Sequence, residues 1–375
     1  MLILQLALIL LFSKIAGEIS VKLGQPAVLG KLLIGIVLGP SVLGLIESTD
    51  ILKEISDIGV ILLMFIAGLE TDMDEFKKSG KASTFVGIGG ILLPLSIGFG
   101  SGIALGLDTI QASFLGLLLS ATSVSISVQV LKEMGNLKSK EGATILGAAV
   151  IDDILVVIFL AFLMSFAGGD VNLGMILFKK VMFFAITIFA GWKLVPIMLK
   201  KFVPLKVSES IISAALIITF TFSYFAEYTG VAAIIGAYIA GVSISVTTYK
   251  HEVFEKIETI GYSIFVPVFF TSIGVAAELG GITENLNIIL ILSVIAIATK
   301  LIGSGIGARL AGFNWISSVG IGSAMVSRGE VALIIAAIGL DNKLIDHDFF
   351  TAIVVVVLIT TIVTPLLMKK FLRTA

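Results

Sequence analysis

Not one cysteine occurs in this chain, which excludes a disulfide framework, a thiolate metal site and a cysteine nucleophile. Charge is scarce too: 14% of residues are Asp, Glu, Lys or Arg, and they balance to a net −1. So neutral a chain offers no bulk attraction to nucleic acid, and none is expected as a partner. Nor can so few charges cover a soluble domain of 375 residues that is 57% hydrophobic. The apolar start from Met1 to Leu11 has no basic stretch before it, and no A-x-A-like site is evident. It is read as a first membrane span and not as a cleaved signal peptide. The two histidines, His251 and His347, are placed in links, where a lone histidine is ordinarily a solvated surface group.

What is plentiful is apolar sequence in runs of about 20 residues, the length that crosses a hydrocarbon core roughly 30 Å thick. Cutting at charged or Gly/Asn/Pro-rich breaks gives thirteen candidate spans. They lie near 1–21, 25–46, 51–69, 82–106, 109–131, 141–167, 179–199, 209–227, 230–247, 259–277, 286–308, 315–339 and 348–369. The links are short and leave no room for a soluble domain. The expected fold class is an all-α polytopic membrane protein with about 13 transmembrane helices.

The cations are distributed unevenly over the links. Of the 25 lysines and arginines, eighteen fall on one side, and four (Lys53, Lys179, Lys180, Lys343) fall on the other. Three more, Lys31, Lys300 and Arg328, lie within spans. Because cytoplasmic loops are enriched in Lys and Arg, this asymmetry predicts an N-terminus outside and a C-terminus in the cytoplasm. Lys31 is expected to snorkel to the interface. The acidic link Glu70, Asp72, Asp74, Glu75 is expected to be a solvated loop.

An internal repeat runs through the chain. Gly24, Ala27, Gly30 and Gly35 recur as Gly230, Ala233, Gly236 and Gly241, a constant offset of 206. The same offset carries Gly68 onto Gly274 and Asp72 onto Glu278, and sets Ala121-Thr122-Ser123-Val124 opposite Ser327-Arg328-Gly329-Glu330. Span 2 thus matches span 9, and span 5 matches span 12. Seven spans separate the partners, an odd number, so the halves are expected upside down relative to each other. Repeat one covers about 1–167, a linker span about 179–199, and repeat two about 209–372. Inverted repeats with polar interruptions near the midplane are a recurring transporter architecture.

An ionisable side chain at the bilayer centre costs on the order of 2.5–3.5 kcal/mol even on the lenient insertion scale. Four spans carry polar groups at that depth. With a rise of about 1.5 Å per residue, Asp152 and Asp153 lie roughly 17 Å from Glu141. Lys300, Arg328 with Glu330, and Thr122 with Ser123 fall midway along their own spans. Adjacent helical residues point about 100° apart, so the two aspartates cannot serve one ligand in the same way. One division turns Asp153 toward a water-filled cavity and Asp152 toward a fixed cation, for which Lys300 is the natural candidate. The run Ala121-Thr122-Ser123-Val124-Ser125 is expected to unwind and offer oxygens to a hard cation. Arg328 and Glu330 are suited to compensate half-helix dipoles, Arg328 at C-termini and Glu330 at N-termini. Gly303-x-Gly305-x-Gly307 is read as close helix packing, not as a phosphate loop, because no strand precedes it.

Leu119-Ser120-Ala121-Thr122-Ser123-Val124, Ala149-Val150-Ile151-Asp152-Asp153-Ile154, Thr299-Lys300-Leu301 and Ser327-Arg328-Gly329-Glu330 together resemble the second cation:proton antiporter family. Within it, the likeness is to the NapA-type sodium/proton antiporters of bacteria and archaea. The resemblance covers essentially the whole chain. It implies a homodimer with core and dimer domains, an elevator-like rocking, and crossing of two broken helices, spans 5 and 12. It also implies that Asp153 is the ion- and proton-carrying carboxylate and that Asp152 pairs with Lys300. Relatives dedicated to potassium efflux often carry a polar uncharged residue where Asp152 stands here.

The expected function is electrogenic sodium (or lithium)/proton antiport by alternating access, in a prokaryotic plasma membrane, with no enzymatic activity and no cofactor. Asp152, Asp153 and Lys300 would couple protons to ions, Arg328 and Glu330 would compensate charge, and Asp153, Asp152, Thr122 and Ser123 would hold transported sodium. A potassium/proton antiporter and a sodium-coupled organic anion symporter are the alternatives.

Overall fold

A computed structural model of the chain describes residues 2–23, 25–71, 73–166, 173–202, 204, 207–276, 286–342 and 344–372. Gly24, Asp72, Glu278 and Lys343 lie outside the described residues. Among these residues every regular element is a helix. In order they are α1 (Leu2–Lys22), α2 (Ala27–Leu38), α3 (Asp50–Glu70), α4 (Met73–Ala104), α5 (Thr109–Ser120), α6 (Val124–Glu133), α7 (Lys140–Phe166) and α8 (Leu173–Phe189). After a π-helical turn at Ala190–Leu194 come α9 (Val195–Phe202), α10 (Ser210–Tyr228), α11 (Ala233–Ser245) and α12 (Lys250–Ile260). A second π-helical turn at Gly261–Phe265 leads to α13 (Val266–Val275), α14 (Leu286–Leu310), α15 (Trp315–Ala324), α16 (Glu330–Asp341) and α17 (His347–Phe371).

Nine helical stretches among the described residues are long and apolar enough to cross a bilayer, and three shorter apolar helices accompany them. This is a multi-pass membrane protein. Its helices start on local signals: Asp108 and Gln111 form a capping box on α5, and Asn314 accepts from Ser317 N at the start of α15.

Four expected boundaries or placements differ. The α8 helix begins at Leu173, not at 179, so Lys179 and Lys180 are helical; Lys180 enters the protein because it finds a backbone carbonyl there. The α4 helix begins at Met73, so Asp74 and Glu75 open a helix and do not belong to a loop, while Glu70 is paired. His251 lies in α12 beside Glu255 and His347 opens α17, so neither is in a link. Lys31 does not snorkel: it is only 8% exposed, reaches back to Gly17, and lies in the field of Glu133.

Glycine sets the closest helix contacts. A methyl group at Gly35 would lie 2.1 Å from Thr271 O, and one at Gly274 would lie 2.2 Å from Leu32 O, so α2 and α13 touch backbone to backbone. In the same way Gly68 would meet Tyr238 O at 2.3 Å and Gly241 would meet Phe65 O at 2.2 Å, joining α3 to α11. The 206 offset turns Gly35 into Gly241 and Gly68 into Gly274, so it exchanges one contact for the other. Gly303 and Gly307 serve α14 against α4, facing Gly89 O and Phe85 O. Without a hydrophobic drive between helices in lipid, such close approach supplies much of their attraction. Gly68→Val or Gly274→Val is expected to cost at least about 3 kcal/mol, the upper end of ordinary overpacking, because backbone cannot step aside. Thermal unfolding in detergent checks this, with Gly80→Ala, where nothing lies within 4 Å, as the silent control.

The helices α4, α5, α7 and α14 pack together on one side, and α2, α3, α11 and α13 on the other. The α6 helix touches both sets, reaching α7 and α17 as well as α2 and α3.

Candidate ion site at the helix crossing

Two helices are broken at the same place. Between α5 and α6, residues 121–123 leave the helix, with Ala121 and Ser123 in extended backbone. Between α15 and α16, residues 325–329 do the same. The two breaks are bonded to each other: Ser123 N donates to Ser327 O at 2.8 Å, and Ser327 Oγ donates to Ser123 O at 2.6 Å. Ser127 Oγ donates to Ala324 O. A methyl group on Gly329 would lie 2.6 Å from Ser123 Oγ, so only glycine permits this approach.

Breaking a helix inside a membrane strands carbonyls that no water can reach, and each end carries part of the helix dipole. Two buried cations answer the C-terminal ends. Arg328, fully buried, donates to Leu119 O near the end of α5, to Ala296 O at 3.0 Å and to Val326 O at 2.7 Å. Lys300, also fully buried, donates to Ser120 O. Arg328 is itself held by its own carbonyl, which accepts from Thr361 Oγ1 at 2.6 Å. Glu330 opens α16, and its side chain lies outside the described part of the structure.

The aspartates separate as neighbours on a helix must. Asp152 is fully buried, and Lys300 Nζ lies 2.8 Å from its Oδ1. Its Oδ2 meets no donor at hydrogen-bonding geometry among the described residues, although the Thr122 hydroxyl stands beside the carboxylate. Thr122 Oγ1 and Ser125 Oγ, both buried, are likewise without a partner there. Buried polar atoms left unsatisfied cost about 1–3 kcal/mol each. Carboxylate and hydroxyl oxygens are the donors a hard cation prefers.

Asp153 is only partly buried and faces away from that pair, toward α3 and α11. It lines a cavity of about 10 Å³ with Met64, Val124, Ile234, Ile235 and Tyr238. Ile234, Ile235 and Tyr238 of α11 border this space, and part of Asp153 stays exposed. The space is near the minimum for a single water.

Two lysines that sequence position alone assigns to the links are engaged in the structure. Lys180 of α8 is 4% exposed and donates to Gly230 O at 2.5 Å. Lys132, at the end of α6, bridges Glu258 at 2.8 Å and Glu70 at 3.4 Å, and stands over the rings of Phe254 and Tyr262. Next to it, Glu133 accepts from Ala27 N at 2.6 Å and so caps α2 with an anion. The apolar run Met175–Phe178 ahead of Lys179 was the available sign that the helix starts earlier.

A many-helix membrane protein with two mutually bonded helix breaks beside a buried carboxylate–lysine pair belongs to the class of secondary ion transporters. The chain belongs to the sodium/hydrogen exchanger family, whose transmembrane model matches residues 7–373. A Bacillus cereus protein named Na(+)/H(+)-K(+) antiporter GerN is 58% identical over 366 residues, covering 97% of this chain and 95% of its own. The Na(+)/H(+) antiporter of Enterococcus hirae is 42% identical over 373 residues, covering 98% and 97%. The solved sodium proton antiporter MjNhaP1 from Methanocaldococcus jannaschii superposes with a TM-score of 0.73 at 16% identity, covering 98% of this chain and 96% of that one. At that identity the likeness speaks to the fold alone.

Proposed function

We propose that this protein exchanges sodium for protons across a membrane by alternating access, with both ions competing at the buried aspartates. The observation that carries this reading is the helix crossing itself, two breaks bonded to each other beside the buried Asp152–Lys300 pair, with Asp153 next to that pair on α7. Asp153 carries the ion and the proton, Thr122 and Ser123 supply further oxygens, and Asp152 is charge-balanced by Lys300. Arg328 and Glu330 compensate the four half-helix ends. Protons and sodium exclude one another at the same oxygens, so loading one drives release of the other. The names of the Bacillus cereus and Enterococcus hirae relatives support sodium/proton exchange. The potassium in the name GerN supports testing potassium as a second cargo.

The same reading includes thirteen crossings in two inverted repeats, an outside N-terminus, a cytoplasmic C-terminus and a homodimer in the prokaryotic plasma membrane. It also includes electrogenic exchange and acceptance of lithium. The test is purified protein in proteoliposomes, with sodium gradients imposed against pH and current recorded. Sodium-driven proton counterflow with a current that reverses with the gradients supports it. Sodium movement without proton counterflow, or only with an organic anion present, overturns it.

Breaking the inner pair has a calculable effect. Lys300→Met leaves Asp152 as an uncompensated buried charge, and Asp152→Asn does the same to Lys300, each worth about 3–5 kcal/mol. Both variants should melt lower and exchange with altered sodium affinity or stoichiometry. The double variant should recover much of the stability; additive losses in thermal unfolding would show that the two groups are not coupled.

A further inference from the structure

Lys180 has no part in the reading above, yet it is a buried cation within a membrane-spanning stretch, and such residues are rarely idle. Its ammonium is fixed on Gly230 O, in the turn that leads into α11. One turn further along, Ile234 and Ile235 close the small cavity onto which Asp153 opens. The α8 helix also packs directly on α7, and Lys180 and Asp153 attract each other electrostatically. From the ends that α7 and α8 turn toward each other, Asp153 is roughly 20 Å deep and Lys180 roughly 10 Å, at 1.5 Å per residue. Lys180 therefore stands on one approach to Asp153, on the side of the α7–α8 connection. Lys300 from α14 also lies in the field of Asp153, Asp152 is its neighbour on α7, and Tyr238 faces it from α11.

We propose that Lys180 is a positioning residue for transport: anchored on Gly230 O, its charge weakens the hold of Asp153 on any cation and assists release toward the α7–α8 side. Sodium and the proton are both cations, so a fixed ammonium opposes each of them at that carboxylate. This inference rests on the reading of Asp153 as the carrier. It differs from a packing role, in which only the bond to Gly230 O would matter.

Lys180→Gln keeps a donor for Gly230 O and removes the charge; Lys180→Arg keeps both. In proteoliposomes at alkaline pH, where protons compete least, Lys180→Gln should lower the sodium KM on the order of fivefold, the scale of removing one opposing, partly screened unit charge. The pH of half-maximal exchange should move alkaline, and Lys180→Arg should keep wild-type values. An unchanged KM and pH profile in Lys180→Gln overturns the proposal. A readout independent of transport is the thermal unfolding of Asp153→Asn, Lys180→Gln and the double variant. Asp153→Asn leaves the buried lysine without its counter-charge, so the double variant should melt higher than additivity allows; strict additivity also overturns the proposal. Should Asp153→Asn retain exchange while the melting coupling is present, the carrier assignment fails and the Lys180–Asp153 coupling stands.

Discussion

Asp153→Asn is expected to abolish sodium-driven proton exchange in proteoliposomes while leaving a folded protein that elutes like wild type. The amide matches the carboxyl in size and replaces it at the wall of a cavity of about 10 Å³, so packing is nearly unchanged. What is lost is the one property antiport needs there, a group that trades a proton for a metal cation. An amide carries no charge to attract sodium and binds no proton at physiological pH. The expected loss is at least about a hundredfold, the lower range for removing a positioned proton-transfer group. Retained exchange in this variant would falsify Asp153 as the carrier and shift attention to Asp152. The comparison with Asp152→Asn is informative because Asp152 is locked to Lys300 at 2.8 Å, while Asp153 is turned toward the boundary between the two helix groups.

The second large effect is on folding. Arg328→Met removes the donors that satisfy Leu119 O, Ala296 O and Val326 O, all in the interior. Leu119 O and Val326 O, which lie at the helix breaks, are left stranded at about 1–3 kcal/mol each, and with the lost bond to Ala296 O this is a large part of the stability of an ordinary domain, about 5–15 kcal/mol. The variant should therefore fail to give a monodisperse species in detergent. Arg328→Lys should rescue only in part, since one ammonium cannot reproduce a planar fork that reaches several carbonyls at once. A well-folded Arg328→Met with a wild-type melting temperature would mean that the crossing is held by the serine bonds between residues 123 and 327 alone.

Much of this site was legible because expensive residues announce themselves. Asp152, Lys300 and Arg328 stand out in apolar runs, and counting at 1.5 Å per residue gives their depth. The hydroxyl-rich run at 121–125 pointed to the first break, and the family resemblance implied the second. Depth along a helix, however, says nothing of which way a side chain turns or what lies opposite. Lys180 reads as a loop residue until Gly230, 50 positions later, offers it a carbonyl. Lys31 reads as an interfacial snorkel until Glu133 arrives beside it from α6. The small space at Asp153 is bordered by residues of α11, and α11 is set there by backbone contacts with α3 at Gly68 and Gly241. What stayed hidden was pairing across long stretches of chain.

Those long separations bear on how the protein is made. The carbonyl of Leu119 waits for an arginine 209 residues further on, and that of Ser120 for a lysine 180 residues further on. During synthesis the first half enters the bilayer before either donor has left the ribosome. Its broken helix then has nothing to satisfy it in hydrocarbon, where unsatisfied carbonyls cost several kcal/mol each. The segment 109–133 should therefore insert as an unbroken helix and open only when the second half arrives. Biogenesis and site assembly become one late event, and a nascent chain halted before residue 300 has a membrane topology but no place to hold an ion.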